Sequence, residues 1–283
     1  MKIRKLFAGL LAALLIVSSA AAVAEITIGV PDDTTNEARA LQLLADNGII
    51  ELAEGAGETA TKADVIADGI TVVEIQADQL VNQLADLDYA VINGNYVLDA
   101  VNAGFEINAA LLLEAEEVYL PRANVVAVNG ENVDADLTKA LVAAVRSQQV
   151  ADYITDTYAG GAISVVDDPT DGYDPDVDYD ALAGQKIIIA ATPTPHAQIL
   201  EVVKEILAAK DIDLDIEVFT GYTEENPAVD AGDAYANYFQ HQQYLDDYVA
   251  ETGGNVVSVT TVHTEPMGLY GGRQADLSAL EGN

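Results

Sequence analysis

Short apolar runs alternate with helically spaced ones along most of this chain. Glu25–Val30, Ile70–Ile75, Asp88–Ile92, Asn124–Val128, Lys186–Ala191, Leu214–Phe219 and Asn255–Val262 are dense in Val, Ile and Ala and read as buried strands. Between them, apolar residues recur at helical spacing in Ala77–Ala85, Ala135–Arg146, Gln148–Tyr158 and Ala197–Ala209, with a short helix around Asn226–Asp230. After the first strand, Pro31–Arg39 turns into a helix that Thr34 and Glu37 are spaced to cap and Gly48 to end. Repeated strand–helix–strand units predict an α/β protein with largely parallel sheets and helices on their faces. Ala236-Asn-Tyr-Phe-Gln-His-Gln-Gln-Tyr-Leu245 falls across a strand-to-helix turn, so Phe239, Gln240 and His241 should stand at a carboxyl strand end, where open α/β sheets bind ligands.

The rhythm breaks once. Asp167–Asp180 carries two prolines and a run of aspartates, the composition of a solvated linker. Asp174, Asp176, Asp178 and Asp180 alternate as in a calcium loop, but Tyr179 and Gln185 stand where that loop needs Gly and Glu.

Charge and composition narrow the class. Twelve basic residues face 47 acidic ones, a net charge of −35, so nucleic acid and anionic membranes are poor partners. Lys2, Arg4 and Lys5, the apolar run Leu6–Val17 and Ala22-Val-Ala24 read as a signal peptide cleaved near Ala24/Glu25, which places the mature chain in the periplasm or outside the cell. Without cysteine there is no disulfide framework, thiolate metal site or lipid-bearing residue.

Motifs for enzymatic chemistry are missing: there is no G-x-S-x-G, Walker loop, dinucleotide fingerprint or H-E-x-x-H. His196, His241 and His263 lack metal-ligand spacing, so neither metal nor cofactor is expected. Arg39, in the first turns of a helix after a strand, suits a carboxylate held bidentately, or else a surface ion pair. Asn93 and Asn95, at a strand end, offer amide oxygens to an ammonium, or form an ordinary Asn-Gly turn. Tyr222, Phe239 and His241 suit an apolar slot for a thioether.

Several blocks together resemble the methionine-binding lipoproteins, the substrate-binding subunits of methionine ABC importers. They are Pro31–Leu41, Ala90–Tyr96, Ala191–His196, Phe219–Tyr222, Ala236–Leu245 and Val262–Tyr270. The resemblance implies a two-lobed periplasmic-binding-protein fold, type II-like, that closes over methionine and serves an importer permease as a monomer. It implies that Asn36 and Arg39 hold the carboxylate region, Asn93 and Asn95 serve the polar head, and Tyr222, Phe239 and His241 enclose the side chain. Block order departs from the family: the block beginning Lys186 normally comes first, so the chain resembles a circular permutation. The expected division is a signal peptide at 1–24, lobe II at 25–118, a crossover and return to lobe I at 119–166, an acidic linker at 167–183, lobe I at 184–262, and a crossover towards lobe II at 263–283. In this order Asn283 should lie near Glu25. Two further departures are the missing lipid-attachment cysteine and Tyr235-Ala236, where the family has an acidic residue before Ala; the second bears on ligand preference.

The expectation is therefore a non-enzymatic carrier for methionine. Another amino acid or a Met-containing dipeptide, an enzyme on the same fold using His241 or His263, and an acidic sensing protein without a transporter remain open alternatives.

Overall fold

The computed structural model describes residues 25–281; the expected signal segment and Asn283 lie outside them. Among the described residues no helix is long and apolar enough to cross a membrane. The chain first forms β1 (Ile26–Pro31), a small hairpin of β2 (Glu51–Leu52) and β3 (Val65–Ile66), then β4 (Ile70–Ile75), β5 (Tyr89–Ile92) and β6 (Leu112–Leu113). It then crosses to a second lobe and forms β7 (Asn124–Asn129), β8 (Ile163–Ser164), β9 (Lys186–Ala191), β10 (Asp213–Val218), β11 (Ala236–His241) and β12 (Val256–Thr264). A second crossing returns it to β13 (Gly268–Gly271).

Each lobe holds one main sheet, and the β2–β3 hairpin pairs separately. Lobe II orders its strands β4-β1-β5-β13-β6, and lobe I orders them β10-β9-β11-β7-β12-β8. Strands joined by helical crossovers run parallel, as the alternation predicted: β4, β1 and β5 in lobe II, and β10, β9 and β11 in lobe I. The remaining pairings are antiparallel: β7 and β13 enter their sheets from the other lobe and run against β11 and β5, and β12, which leads out to the second crossing, runs against β7. Ile28, Leu41 and Leu44 centre the core of lobe II, and Leu141, Ile187 and Ile199 that of lobe I. Each such fully buried side chain contributes roughly 1.5–3 kcal/mol.

Three local expectations change. The helix Thr34–Asp46 is capped by Asp33, which accepts from the Asn36 amide, while Glu37 turns away to accept from the Lys62 amide at 2.6 Å. Ala77–Ala85 is not one helix: a single turn, Leu80–Gln83, is flanked by 3-10 turns at Ala77–Gln79 and Leu84–Asp86. The acidic stretch is docked on lobe I and is not a solvated linker. Val177 is buried in the lobe I core, and Lys210 Nζ lies 4.5 Å from the Tyr173 ring centre and 5.3 Å from that of Tyr179. Apolar and cation–π contacts outweigh repulsion among well-hydrated aspartates.

The two crossings meet each other. Glu114, just after β6, donates its backbone N–H to the Met267 carbonyl at 3.0 Å, and Met267 N–H returns a bond to the Glu114 carboxylate at 2.7 Å. The C-terminal stretch then runs back along β1. Arg273 donates to Asp88 at 2.7 Å and to Thr27 at 2.9 Å, and Tyr89 Oη donates to the Asp276 carbonyl.

Asp88 ties this seam together. Burial alone would raise its carboxyl, but bonds from the Thr27 amide, Arg273, Gln274 and the Thr27 hydroxyl outweigh that and hold it at about 2. A folded-state value below the unfolded one stabilises at neutral pH and is lost as pH falls through it. Asp88→Ala should therefore cost about 2 kcal/mol at neutral pH, with the difference from wild type shrinking below about pH 4. Urea melts across pH check this; a deficit independent of pH would mean that the seam does not depend on the carboxylate charge.

Candidate functional site

All seven residues singled out by sequence line one cleft between the lobes. Lobe II supplies Asn36 and Arg39 from the helix after β1, and Asn93 and Asn95 from the start of the helix Gly94–Asn102 after β5, where Asn93 is the N-cap and no tight turn forms. That helix start is pressed close to the second crossing: a Cβ on Gly94 would stand 2.6 Å from Glu265 Cβ and 2.9 Å from the Pro266 carbonyl. Lobe I supplies Tyr222 from the loop after β10, and Phe239 and His241 from the end of β11. The register of β11 against β7 shifts between Tyr238 and Gln240, leaving Phe239 as the extra residue of a bulge. The bulge bends the strand end and re-aims its side chains, so that Phe239, Gln240 and His241 all reach the cleft.

Arg39 holds a carboxylate bidentately, but one of the protein's own, and the pair is buried, not on the surface. Its Nε and Nη2 engage both oxygens of Glu114 at 2.7 and 2.5 Å, and Nη2 also donates to the Glu265 carbonyl at 3.1 Å. The bidentate partner is internal and both residues are buried. Among the described residues Arg39 Nη1 donates to no protein group. Glu114 itself sits in an unremarkable Leu-Leu-Glu-Ala stretch, and no sequence signal marks it as the partner.

Two buried polar atoms in the cleft have no protein partner. His241 Nδ1 accepts from the Tyr244 amide at 3.3 Å and caps the helix Gln242–Thr252, so its proton is on Nε2, which is buried and unpartnered. Burial, then repulsion from Arg39 and Arg122, pushes its pKa down to about 3, so it remains a neutral donor. Asn93 Nδ2 donates to Asn36 Oδ1 at 2.8 Å, which leaves Asn93 Oδ1 as a buried acceptor without a donor. Unpartnered buried polar atoms cost about 1–3 kcal/mol each, and in a cleft they point to a ligand that completes them. Asn95 differs: its oxygen accepts from Tyr222 Oη at 2.7 Å across the cleft.

The apolar wall is a cluster of rings. Tyr222, Phe239 and Tyr244 lie with ring centres 5.8–5.9 Å apart, and Tyr96 approaches Tyr222 at 5.1 Å. Bonds from Thr35 to Asp247 at 2.6 Å, Tyr96 to the Thr220 carbonyl at 3.1 Å and Thr194 to Asp99 at 3.0 Å hold the lobes together around it. Tyr235 lies away from the cleft, its hydroxyl 2.7 Å from Thr138 Oγ1, so this departure from the family pattern does not touch the pocket.

Sequence reasoning missed Asn124, Tyr244 and Glu265, which also line the cleft, and set Gln240 at the binding edge without giving it a role. Glu265 ends a buried chain of hydrogen bonds. Thr192 bonds His196 Nδ1 at 2.7 Å, His196 Nε2 bonds Asn124 Oδ1 at 3.0 Å, and Asn124 Nδ2 donates to Glu265 at 2.7 Å. From the other side His263 contacts Tyr238 Oη through Nδ1 and Glu265 through Nε2 at 2.8 Å. Burial would raise the Glu265 carboxyl, but His263 and then His196 and Arg39 outweigh it and hold it at about 2. His196, His263 and Glu265 thus gather within 4.8 Å although their sequence spacing carries no metal pattern. Every ring nitrogen there already has a hydrogen-bond partner, so a metal would have to break the chain.

Comparison with known proteins agrees with this architecture. The NlpA lipoprotein family matches residues 19–166 and 187–283. The membrane lipoprotein TpN32 of Treponema pallidum is 43% identical over 76 residues, 27% of this chain and 28% of that protein. The methionine-binding lipoprotein MetQ of Bacillus subtilis is 40% identical over 92 residues, 32% of this chain and 34% of its own. The D-methionine-binding lipoprotein MetQ of Escherichia coli is 33% identical over 141 residues, 48% of this chain and 50% of its own. In these matches the chain spans half or less of each relative's length. The two-block match covers most of the sequence, and the chain belongs to the NlpA lipoprotein family.

Proposed function

We propose that this chain is an exported solute-binding protein that closes over methionine and hands it to an ABC importer. The observation that carries this reading is the unpartnered pair in the cleft, the donor His241 Nε2 and the acceptor Asn93 Oδ1. A zwitterion completes both. Its ammonium would sit on Asn93 Oδ1 within the field of Glu265, and its carboxylate on Arg39 Nη1 with His241 Nε2. A thioether tail would lie against Tyr222, Phe239 and Tyr244, where sulfur–ring contacts are favourable. The matching relatives named for methionine binding support the same ligand.

Retention rather than turnover fits the protonation states. His241 is held neutral, and both ring nitrogens of His263 are engaged, so neither histidine is poised as an acid/base pair. The permuted order and the domain division are part of the same proposal: termini joined through the acidic stretch would give a family match in two blocks, such as 19–166 and 187–283. Each relative's match is correspondingly confined to half or less of its length.

Methionine at a hundred times its Kd should raise the unfolding free energy by about 2.7 kcal/mol, read by scanning calorimetry, and mass spectrometry should recover it chemically unchanged after binding. No heat and no thermal shift with either enantiomer would overturn the methionine reading.

Arg39 has two roles that can be separated. Arg39→Ala should destabilise the fold by about 3–5 kcal/mol, because Glu114 is left charged and buried. Arg39→Met with Glu114→Leu should recover much of that stability while methionine binding stays weak. Wild-type affinity in the stable double variant would show that the guanidinium only braces the crossings.

A further inference from the structure

The cleft acceptor on Asn93 is the end of a directed chain that starts outside the pocket. Asp33 is half-buried at the start of the helix Thr34–Asp46. Its Oδ1 accepts from the Asn36 backbone N–H at 2.9 Å and from Asn36 Nδ2 at 2.9 Å, and its Oδ2 lies 3.1 Å from the same Nδ2. Asn36 Oδ1 then accepts from Asn93 Nδ2 at 2.8 Å, and Asn93 Oδ1 is left facing the cleft. An ionised carboxylate can only accept, so Asn36 must turn its NH2 towards Asp33 and its oxygen towards Asn93. Asn93 must in turn spend its NH2 on Asn36. Each link removes one of the two orientations an amide otherwise has.

Resting on the reading of Asn93 as the ammonium acceptor, we propose that Asp33 is a positioning residue that sets the polarity of the Asn36–Asn93 relay and thereby makes the cleft select an α-ammonium over an α-carbonyl. It touches no ligand itself. An Asn at position 33 keeps the helix cap, since Asn caps as well as Asp. It also places a second NH2 group where Oδ2 was, 3.1 Å from Asn36 Nδ2. With one acceptor and one donor now facing it at 2.9 and 3.1 Å, Asn36 has no enforced orientation, and Asn93 is free to present its NH2 instead of its oxygen to the ligand. In that second arrangement the cleft repels an ammonium and welcomes a carbonyl oxygen.

Protonation of Asp33 permits the same reversal, since a carboxylic acid can donate to Asn36 Oδ1. Burial, with help from Asp32, lifts this carboxyl to about 6 against the two bonds from Asn36. The groups around it are Asp32 and Glu37 on its own segment, Asp247 from the helix packed against it, and Asp78, Tyr96, Tyr222, Glu224 and Tyr244 across the groove it lines. No basic residue lines that groove, so no cation there opposes protonation.

The test compares wild type and Asp33→Asn by calorimetry with L-methionine and with its α-keto acid. Wild type should prefer the amino acid by about a hundredfold or more, because a site built for a donor rejects an analogue lacking it. Asp33→Asn should narrow that ratio about tenfold or more, through weaker methionine binding with keto-acid binding unchanged or improved. A loss of helix capping alone would weaken both ligands together, so an unchanged ratio overturns the relay. Wild type that binds neither ligand overturns the methionine reading instead. The relay is then read in the ligand-free wild-type protein, where NMR signals of the Asn36 and Asn93 side-chain amides should move together with Asp33 ionisation. Signals that stay fixed through that titration overturn it.

Discussion

Arg39 and Glu114 form a buried two-pronged ion pair where both crossings between the lobes meet. Glu114 belongs to the first crossing, its carboxylate also caps Met267 N–H of the second, and Arg39 reaches the Glu265 carbonyl. Removing two such charges from water costs several kcal/mol per ion, and only good geometry with further hydrogen bonds recovers it. This pair has both. It anchors the helix after β1 to the strands about which the lobes are joined, and so fixes the floor of the cleft. The bulge at Phe239, the helix start at Gly94 and the ring cluster then have a fixed frame to close against.

The cleft wall is arranged by charge. Glu114 is neutralised by Arg39, while Glu265 stays ionised through its buried histidine and asparagine contacts. A cleft with a spare guanidinium nitrogen at one place and a carboxylate and a bare amide oxygen at another is complementary to a ligand that carries both signs. The −35 net charge plays no part in that selection, because exposed aspartates beyond a Debye length are screened while these groups are not.

Much of this was legible in the residues. Strand positions such as Lys186–Ala191 and the helix Gln148–Tyr158 follow from hydrophobic period, and the strand-to-helix turn at His241 from its change of period. All seven residues singled out do meet in one cleft, because strand ends and the turns after them converge there by topology. What stayed hidden depends on long-range partners. Glu114 is 75 residues from Arg39, and nothing local distinguishes it from the many other acids. β13 is four residues long and owes its place to pairing with β5 rather than to its own pattern. The docking of Val177 and Tyr173 was masked by the aspartates around them, whose composition suggests solvent while the apolar residues between them pack on the lobe.

The central claim is that the cleft is completed by a zwitterion with a short apolar tail. The most direct measurement is mass spectrometry of the small molecules released when the purified, folded protein is denatured. This account predicts methionine, chemically intact, at close to one equivalent per chain, or quantitative uptake of added methionine by protein freed of ligand. Release of a molecule lacking either the ammonium or the carboxylate, with methionine unable to replace it, would contradict it.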